Sequence, residues 1–204
     1  MNFFLHTIIL SCLTLFPILG YNVVFGKGKI LFFGMEGLSL IVVYTLWVAI
    51  MQFGMHYFAG ALLAIVALIV TSLLFACVSL RPHEDAWGVM SVAMQLVVLG
   101  FSPFWQSVTR GALGIPAIPR APLPTSIEGF ALFIIPIAIV WILFIWWMDR
   151  GKFGRSLSAL SEHKWHAQSL GISRPKIFMI AFLLAGFGSL ISASFFPPYQ
   201  HLLT

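Results

Sequence analysis

Six stretches of this chain are apolar over roughly 20 residues each, the length a helix needs to cross a bilayer. They are Phe3–Val24, Ile30–Met51, Tyr57–Leu80, Ala86–Trp105, Phe130–Trp147 and Ile177–Phe196. No other feature constrains the fold as tightly. A backbone inside hydrocarbon must satisfy its own hydrogen bonds, which leaves only helices or closed barrels. Barrel strands are excluded, because these runs are too long and do not alternate. The expected fold is all-α, a polytopic transmembrane helical bundle of about six spans, with Pro17 kinking the first. Composition agrees: 60% of the 204 residues are apolar and only 8% are charged. A soluble domain carries about a quarter charged residues. A soluble enzyme, a disordered chain and a nucleic-acid-binding domain are therefore excluded. Met1 leads into the first run with His6 but no Lys or Arg before it, which reads as a retained span rather than a signal peptide.

The net charge of +5 is a topology signal. Polar connections lie at Gly26–Lys29, at Arg81–Asp85, at Ser107–Gly129 with Pro116, Pro119, Pro122 and Pro124, and at Asp149–Lys176. Alternation places the first, second and fourth on one side. That side then carries Lys27, Lys29, Arg81, Arg150, Lys152, Arg155, Lys164, Arg174 and Lys176, against Arg110 and Arg120 on the other. The positive-inside rule makes the first side cytoplasmic and turns both termini outward. Trp47, Trp105, Trp146 and Trp147 fall near span ends, as an interfacial aromatic belt requires. Cys12 and Cys77 sit inside apolar runs, where a thiol packs as a small hydrophobe.

Asp149–Lys176 is the only long hydrophilic stretch. Within it Ser156–Leu170 has helical composition, with Leu157, Leu160, Lys164 and Ala167 at helical spacing and Leu170 following. Gly171 suits a helix stop, and Pro175 follows. Two readings stand: an amphipathic helix on the membrane surface, or a docking helix for a groove in a cytoplasmic partner.

The run Gly154-Arg155-Ser156-Leu157-Ser158-Ala159-Leu160-Ser161-Glu162, then Ala167-Gln168-Ser169-Leu170-Gly171-Ile172 and Ala181-Phe182, resembles the cytoplasmic loop of permease subunits of branched-chain amino-acid ABC importers. Thr109-Arg110-Gly111 with Gly114-Ile115-Pro116 resembles that family's extracytoplasmic loop in shortened form. Arg81 with Trp87–Ala93 resembles a further family segment, with Ser91 at a Thr position. Gly28–Thr45 is similar more loosely: Lys29 stands where the family has Gln, and Met35 near its His.

The resemblance implies a multi-pass protein of the cytoplasmic (inner) membrane with no enzymatic activity of its own, one permease domain over 1–204, and a cytoplasmic coupling loop at 149–176. It implies two cytoplasmic ATP-binding subunits that hydrolyse ATP, a second permease subunit, and an extracytoplasmic substrate-binding protein that delivers the amino acid. No cofactor and no nucleic acid would be bound directly. The family continues past His201–Thr204 with further spans, so the chain is expected to be a fragment or a short permease completed by a partner. Coupling to the ATPase would fall on Arg155, Leu157, Ala159, Leu160, Glu162, Ala167, Leu170 and Gly171. Import of urea or short amides on the same scaffold, and a non-transporting membrane scaffold, are the alternatives.

Other polar residues need an explanation within the spans. Glu36 lies in the second run, where an unpaired carboxylate costs about 2.5–3.5 kcal/mol; it either lines a pathway or pairs structurally. Ser91 and Gln95 are four apart and share a helix face, which serves interhelical hydrogen bonding or pathway lining. His83-Glu84-Asp85 reads as a surface turn, because consecutive residues do not converge on one point. His163 and His166 make too few ligands for a metal and read as a solvated face. Ala185, Gly186, Gly188, Ser189, Ser192 and Ala193 form a small-residue stripe suited to close helix packing. No phosphate-binding G-x-x-x-x-G-K-[ST] motif occurs.

Overall fold

The computed structural model describes residues 2–80, 84–104 and 126–200. Among these residues the fold is all-α, with eight α-helices. Helix α1 (Asn2–Asn22) runs into a π-helical turn (Val23–Lys27), followed by α2 (Met35–Met51), α3 (Tyr57–Ser79) and α4 (Glu84–Phe104). Then come α5 (Ile127–Arg150), α6 (Lys152–Glu162), α7 (Lys164–Ser169) and α8 (Arg174–Gln200). Four stretches are long and apolar enough to cross a membrane: Phe3–Lys27, Tyr57–Ser79, Ile127–Arg150 and Arg174–Pro197. Two further apolar helices, Met35–Met51 and Ala86–Phe101, are shorter. Arg81, His83, Trp105, the proline-rich loop with Arg110 and Arg120, and His201–Thr204 lie outside the described residues.

Helix α8 is the axis of the bundle, and its small residues explain why. It runs antiparallel to α1: His6 Nδ1 hydrogen-bonds the Tyr199 hydroxyl at one end, and Gly20 meets Ala185 towards the other. A β-carbon on Gly188 would fall 2.3 Å from the Phe16 carbonyl oxygen, and one on Gly20 would fall 2.8 Å from Ala185 Cα. Only glycine allows the two backbones to approach this closely, the usual device where apolar lipid provides no drive to associate. Towards α2, Ser39 Oγ donates to Ser189 Oγ at 2.8 Å and the Trp47 indole donates to the Ala193 carbonyl at 3.0 Å. Towards α3, a β-carbon on Gly186 would collide with Leu68. The Trp141 indole of α5 donates to the Phe16 carbonyl at 3.2 Å, just before Pro17 of α1. The small-residue stripe read from the sequence is thus the packing surface for α1, α2 and α3.

Two expectations need correction. The second apolar run is not helical from Ile30: α2 begins at Met35, and Lys29–Gly34 lies outside any helix. With 17 residues, α2 is about 25 Å long, short of the roughly 30 Å hydrocarbon core. Helix formation fails upstream because Lys29 takes a left-handed φ of 49° and Phe32 is drawn into an aromatic cluster. Trp47 is not part of an interfacial belt either. It is 1% exposed, because its N–H finds a partner on α8 and its ring fills the core beside the small Ala193. Trp146 and Trp147 do stand exposed at the end of α5, with Arg150 placed 4.1 Å over the Trp146 ring.

Gly188→Val should destabilise the detergent-solubilised protein by about 1–3 kcal/mol, the usual effect of overpacking. Gly100→Val should be close to neutral, because a β-carbon there meets nothing within 4 Å. Thermal unfolding of both variants checks this, and equal destabilisation would contradict the α1–α8 packing.

Candidate functional site

Most chemistry-bearing residues of the described chain gather at one end of the bundle, where α1 leaves through its π-helical turn and α5 hands over to α6. Lys27, on that turn, donates from Nζ to the Asp149 carbonyl at 2.9 Å and forms an ion pair with the Asp149 carboxylate. This joins the first and fifth helices at the point where the hydrophilic stretch begins. The chain then reverses at Gly151. Gly154 is buried so tightly that a β-carbon would lie 1.8 Å from the Asp149 carbonyl oxygen, so the α5–α6 corner requires glycine there. Arg155 is exposed, and its Nη1 donates to the Arg150 carbonyl at 2.8 Å, satisfying one free carbonyl at the end of α5.

Helix α6 is amphipathic because Leu157 and Leu160 share one face. They are 0% and 2% exposed, and Leu157 packs against Gly28 just past the π-helical turn. Ala159 is half-buried, whereas Glu162 on the other face is exposed. The expected single helix over Ser156–Leu170 is in fact two. His163 adopts φ −142° and ψ 91°, closing α6 through its N–H to Ala159 and opening α7 through its carbonyl to Ala167. Because of this break, Ala167 is buried while Leu170, which one continuous stripe would bury, is 80% exposed.

Gly171 ends α7 as expected. Its φ is +83°, its N–H bonds the Gln168 carbonyl at 2.9 Å, and the Ile172 N–H bonds the Ala167 carbonyl at 3.1 Å, the paired bonds of a Schellman cap. Trp165, on this short helix, is 86% exposed as well. The periodicity of the stretch did not single out Trp165, although a Trp in the middle of a hydrophilic loop, away from any span end, is a usable signal. Burial, and secondarily the charge of Arg174, lowers the Lys164 pKa below the ordinary lysine value.

Next to the π-helical turn lies the non-helical segment Lys29–Gly34. Such backbone is tolerated at membrane depth only when protein or a water-lined cavity satisfies it. Here the Ile30 N–H bonds the Val24 carbonyl at 3.2 Å, and the Phe33 N–H bonds Ser91 Oγ at 2.9 Å. The Phe32 ring is fully buried among Phe75, Trp87 and Phe182, with centroids 5.3, 6.1 and 4.9 Å away. This cluster brings α3, α4 and α8 onto the segment.

The structure also brings together the three polar residues read from the second and fourth runs. Ser91 is fully buried, accepting from Phe33 and donating to the Gly88 carbonyl at 2.7 Å. One turn on, Gln95 Nε2 donates to Glu36 Oε2 at 3.1 Å. Glu36 occupies the first turn of α2 and is exposed, so it gains from the positive end of the helix dipole. The carboxylate is therefore partnered. Ser91 ties α4 to the non-helical segment before α2, and Gln95 and Glu36 bridge α4 to α2.

His163 and His166 are both exposed, and among the described residues no three His, Cys, Asp or Glu are grouped to hold a metal. Cys12 and Cys77 are free thiols.

Ser91→Ala strands a backbone N–H and should destabilise by about 1–2 kcal/mol. Gln95→Ala should have a smaller effect, since its partner Glu36 is exposed. Comparing thermal unfolding of the two variants checks the order, and the reverse order would contradict it.

A sequence profile for the family described as branched-chain amino acid transport system / permease component matches residues 3–202. No curated protein and no solved structure matches the chain significantly.

Proposed function

The chain belongs to the branched-chain amino acid transport system permease family, and from that premise we propose that it passes a branched-chain or related amino acid across the cytoplasmic membrane, with α6–α7 as its contact to ATP-binding partners. It is a multi-pass membrane permease and not an enzyme. The observation that carries the proposal is the two-faced character of α6–α7. One face, through Leu157, Leu160 and Ala167, is buried, while Trp165 and Leu170 stand 86% and 80% exposed. An element held firmly on one side and offering bare aromatic and aliphatic groups on the other suits seating in a partner's groove. Arg155 and Gly171 fix its two ends, Ala159 supports the buried side, and Glu162 gives the exposed side a charge.

Motion imposed on α6–α7 would reach the bundle through Leu157 on Gly28 and through Lys27 on Asp149. Both contacts lead into Lys29–Gly34, and from there to Glu36, Ser91 and Gln95. We assign Glu36 and Gln95 to the edge of the substrate path and Ser91 to holding that edge in place. A push at the cytoplasmic end would then bias the bundle between two arrangements.

On this reading α2 with the non-helical segment before it and α4 add two spans to the four long ones, giving six. Lys27, Lys152, Arg155, Lys164 and Arg174 face the cytoplasm, and both ends of the chain face outward, consistent with the contact between His6 and Tyr199 at the opposite end of the bundle. A second permease subunit, two ATP-binding subunits and an extracytoplasmic binding protein complete the importer.

Glu162→Arg, Leu170→Glu and Gly171→Pro should each abolish co-purification of the ATP-binding subunits while leaving membrane insertion intact. The proline cannot adopt φ +83°, whereas Glu162 and Leu170 are exposed and leave the fold undisturbed. Retention of the ATPase by all three variants would overturn the proposal. A cysteine replacing Lys164 should react with an impermeant thiol reagent only from the cytoplasmic side, and labelling from outside would overturn the topology.

A further inference from the structure

Glu36 stands at the restart of a broken helix. The second apolar run loses helical form over Lys29–Gly34 and resumes at Met35, so Glu36 falls in the first turn of α2. Its partner Gln95 lies near the middle of α4 (Glu84–Phe104). With α4 as a span, the carboxylate sits well inside the depth of the bilayer. Broken helices at that depth are where transporters commonly build their substrate sites.

The carboxylate is exposed, and Gln95 is its hydrogen-bond partner. The Gln95 amide is turned so as to leave Glu36 an acceptor. Its Nε2 donates to Glu36 Oε2 at 3.1 Å, while its own Oε1 is buried with no donor. An orphaned acceptor of this kind costs about 1–3 kcal/mol. Turning the amide over would instead set Oε1 against the carboxylate. Gly37 lets the two helices come close enough for the bond, since a β-carbon there would lie 3.1 Å from Gln95 Cα. On α4 the exposed Val92 and Leu96 flank Gln95, so aliphatic surface adjoins the pair.

A carboxylate held as an acceptor beside exposed aliphatic groups matches one kind of solute, an ammonium group joined to an apolar side chain. A neutral amide or urea brings no opposite charge, and an anion would be repelled.

We propose that Glu36, held in place by Gln95, binds the ammonium group of the transported amino acid and so selects amino acids over urea and neutral amides. This assignment rests on the transport role proposed above and adds to it the residue that reads the charge of the solute.

The test uses the importer assembled in proteoliposomes with the ATP-binding, second permease and substrate-binding subunits proposed for it, and compares uptake of radiolabelled leucine and urea. The unsubstituted importer should carry leucine and not urea. Glu36→Gln keeps the shape of the side chain and can still accept from Gln95, so thermal unfolding and co-purification of the other subunits should be unchanged. Its leucine uptake should fall about tenfold to a hundredfold. Glu36→Asp, which keeps the charge, should retain more uptake than Glu36→Gln. Glu128→Gln, which removes a carboxylate in the first turn of α5, should have little effect. Undiminished leucine uptake by Glu36→Gln, or equal loss in Glu36→Gln and Glu36→Asp, would overturn the assignment and leave the transport role standing, as would uptake of urea by the unsubstituted importer. Loss of the second permease subunit from Glu36→Gln would place the carboxylate in an interface and overturn the assignment likewise. Uptake of neither solute by the unsubstituted importer would overturn the transport role and the assignment with it.

Discussion

The rest of the structure depends on one requirement: a stretch of non-helical backbone beside the spans must have its polar groups satisfied by protein. Residues Lys29–Gly34 break the second apolar run, and hydrocarbon would penalise every unpaired N–H and carbonyl by several kcal/mol. The solution draws on most of the bundle. The Val24 carbonyl accepts from Ile30, and Ser91 accepts from Phe33. The Phe32 ring is covered by side chains of α3, α4 and α8. Helix α8 can reach that position because its glycines and small residues let α1, α2 and α3 close around it. The break therefore fixes where four helices must be.

That arrangement also places in series the parts to which the proposed transport role is assigned. The α6–α7 pair is fixed at the α5 corner by Gly154 and by the Lys27–Asp149 ion pair. Leu157 presses on Gly28, immediately ahead of the broken segment. The far side of that segment carries Glu36, bonded to Gln95. A helix continuing from Ile30 would have joined the two ends rigidly and left no place for the Phe33–Ser91 bond.

Much of this was legible in the sequence, for reasons that differ by residue. Apolar run length located every long helix, because bilayer thickness sets that length. The spacing of Ser91 and Gln95 put both on one face, and that face meets the Lys29–Gly34 segment through Ser91 and the first turn of α2 through Gln95. Gly171 was readable as a helix stop because its left-handed geometry depends only on local bonds. The break at Lys29–Gly34 was not readable: Ile30, Leu31, Phe32 and Phe33 continue the apolar run, and the contacts of Phe32 and Phe33 that hold the segment non-helical are distant in sequence. Trp47 was misplaced for the same reason, since its partner Ala193 lies 146 positions away. The split at His163 left the buried pattern of Leu157, Leu160 and Ala167 intact, so periodicity alone could not reveal that Leu170 and Trp165 face outward.

The claim that joins these parts is that Lys29–Gly34 is a packed element through which movement of α6–α7 reaches the Glu36–Gln95 edge. Hydrogen–deuterium exchange on the permease assembled in nanodiscs with the ATP-binding subunits proposed for it tests it most directly. Without nucleotide, the amides of Ile30 and Phe33 should be protected to the degree of the flanking helices, and nucleotide binding should change that protection. Rapid exchange at both amides in both states, or protection that ignores nucleotide, would contradict it.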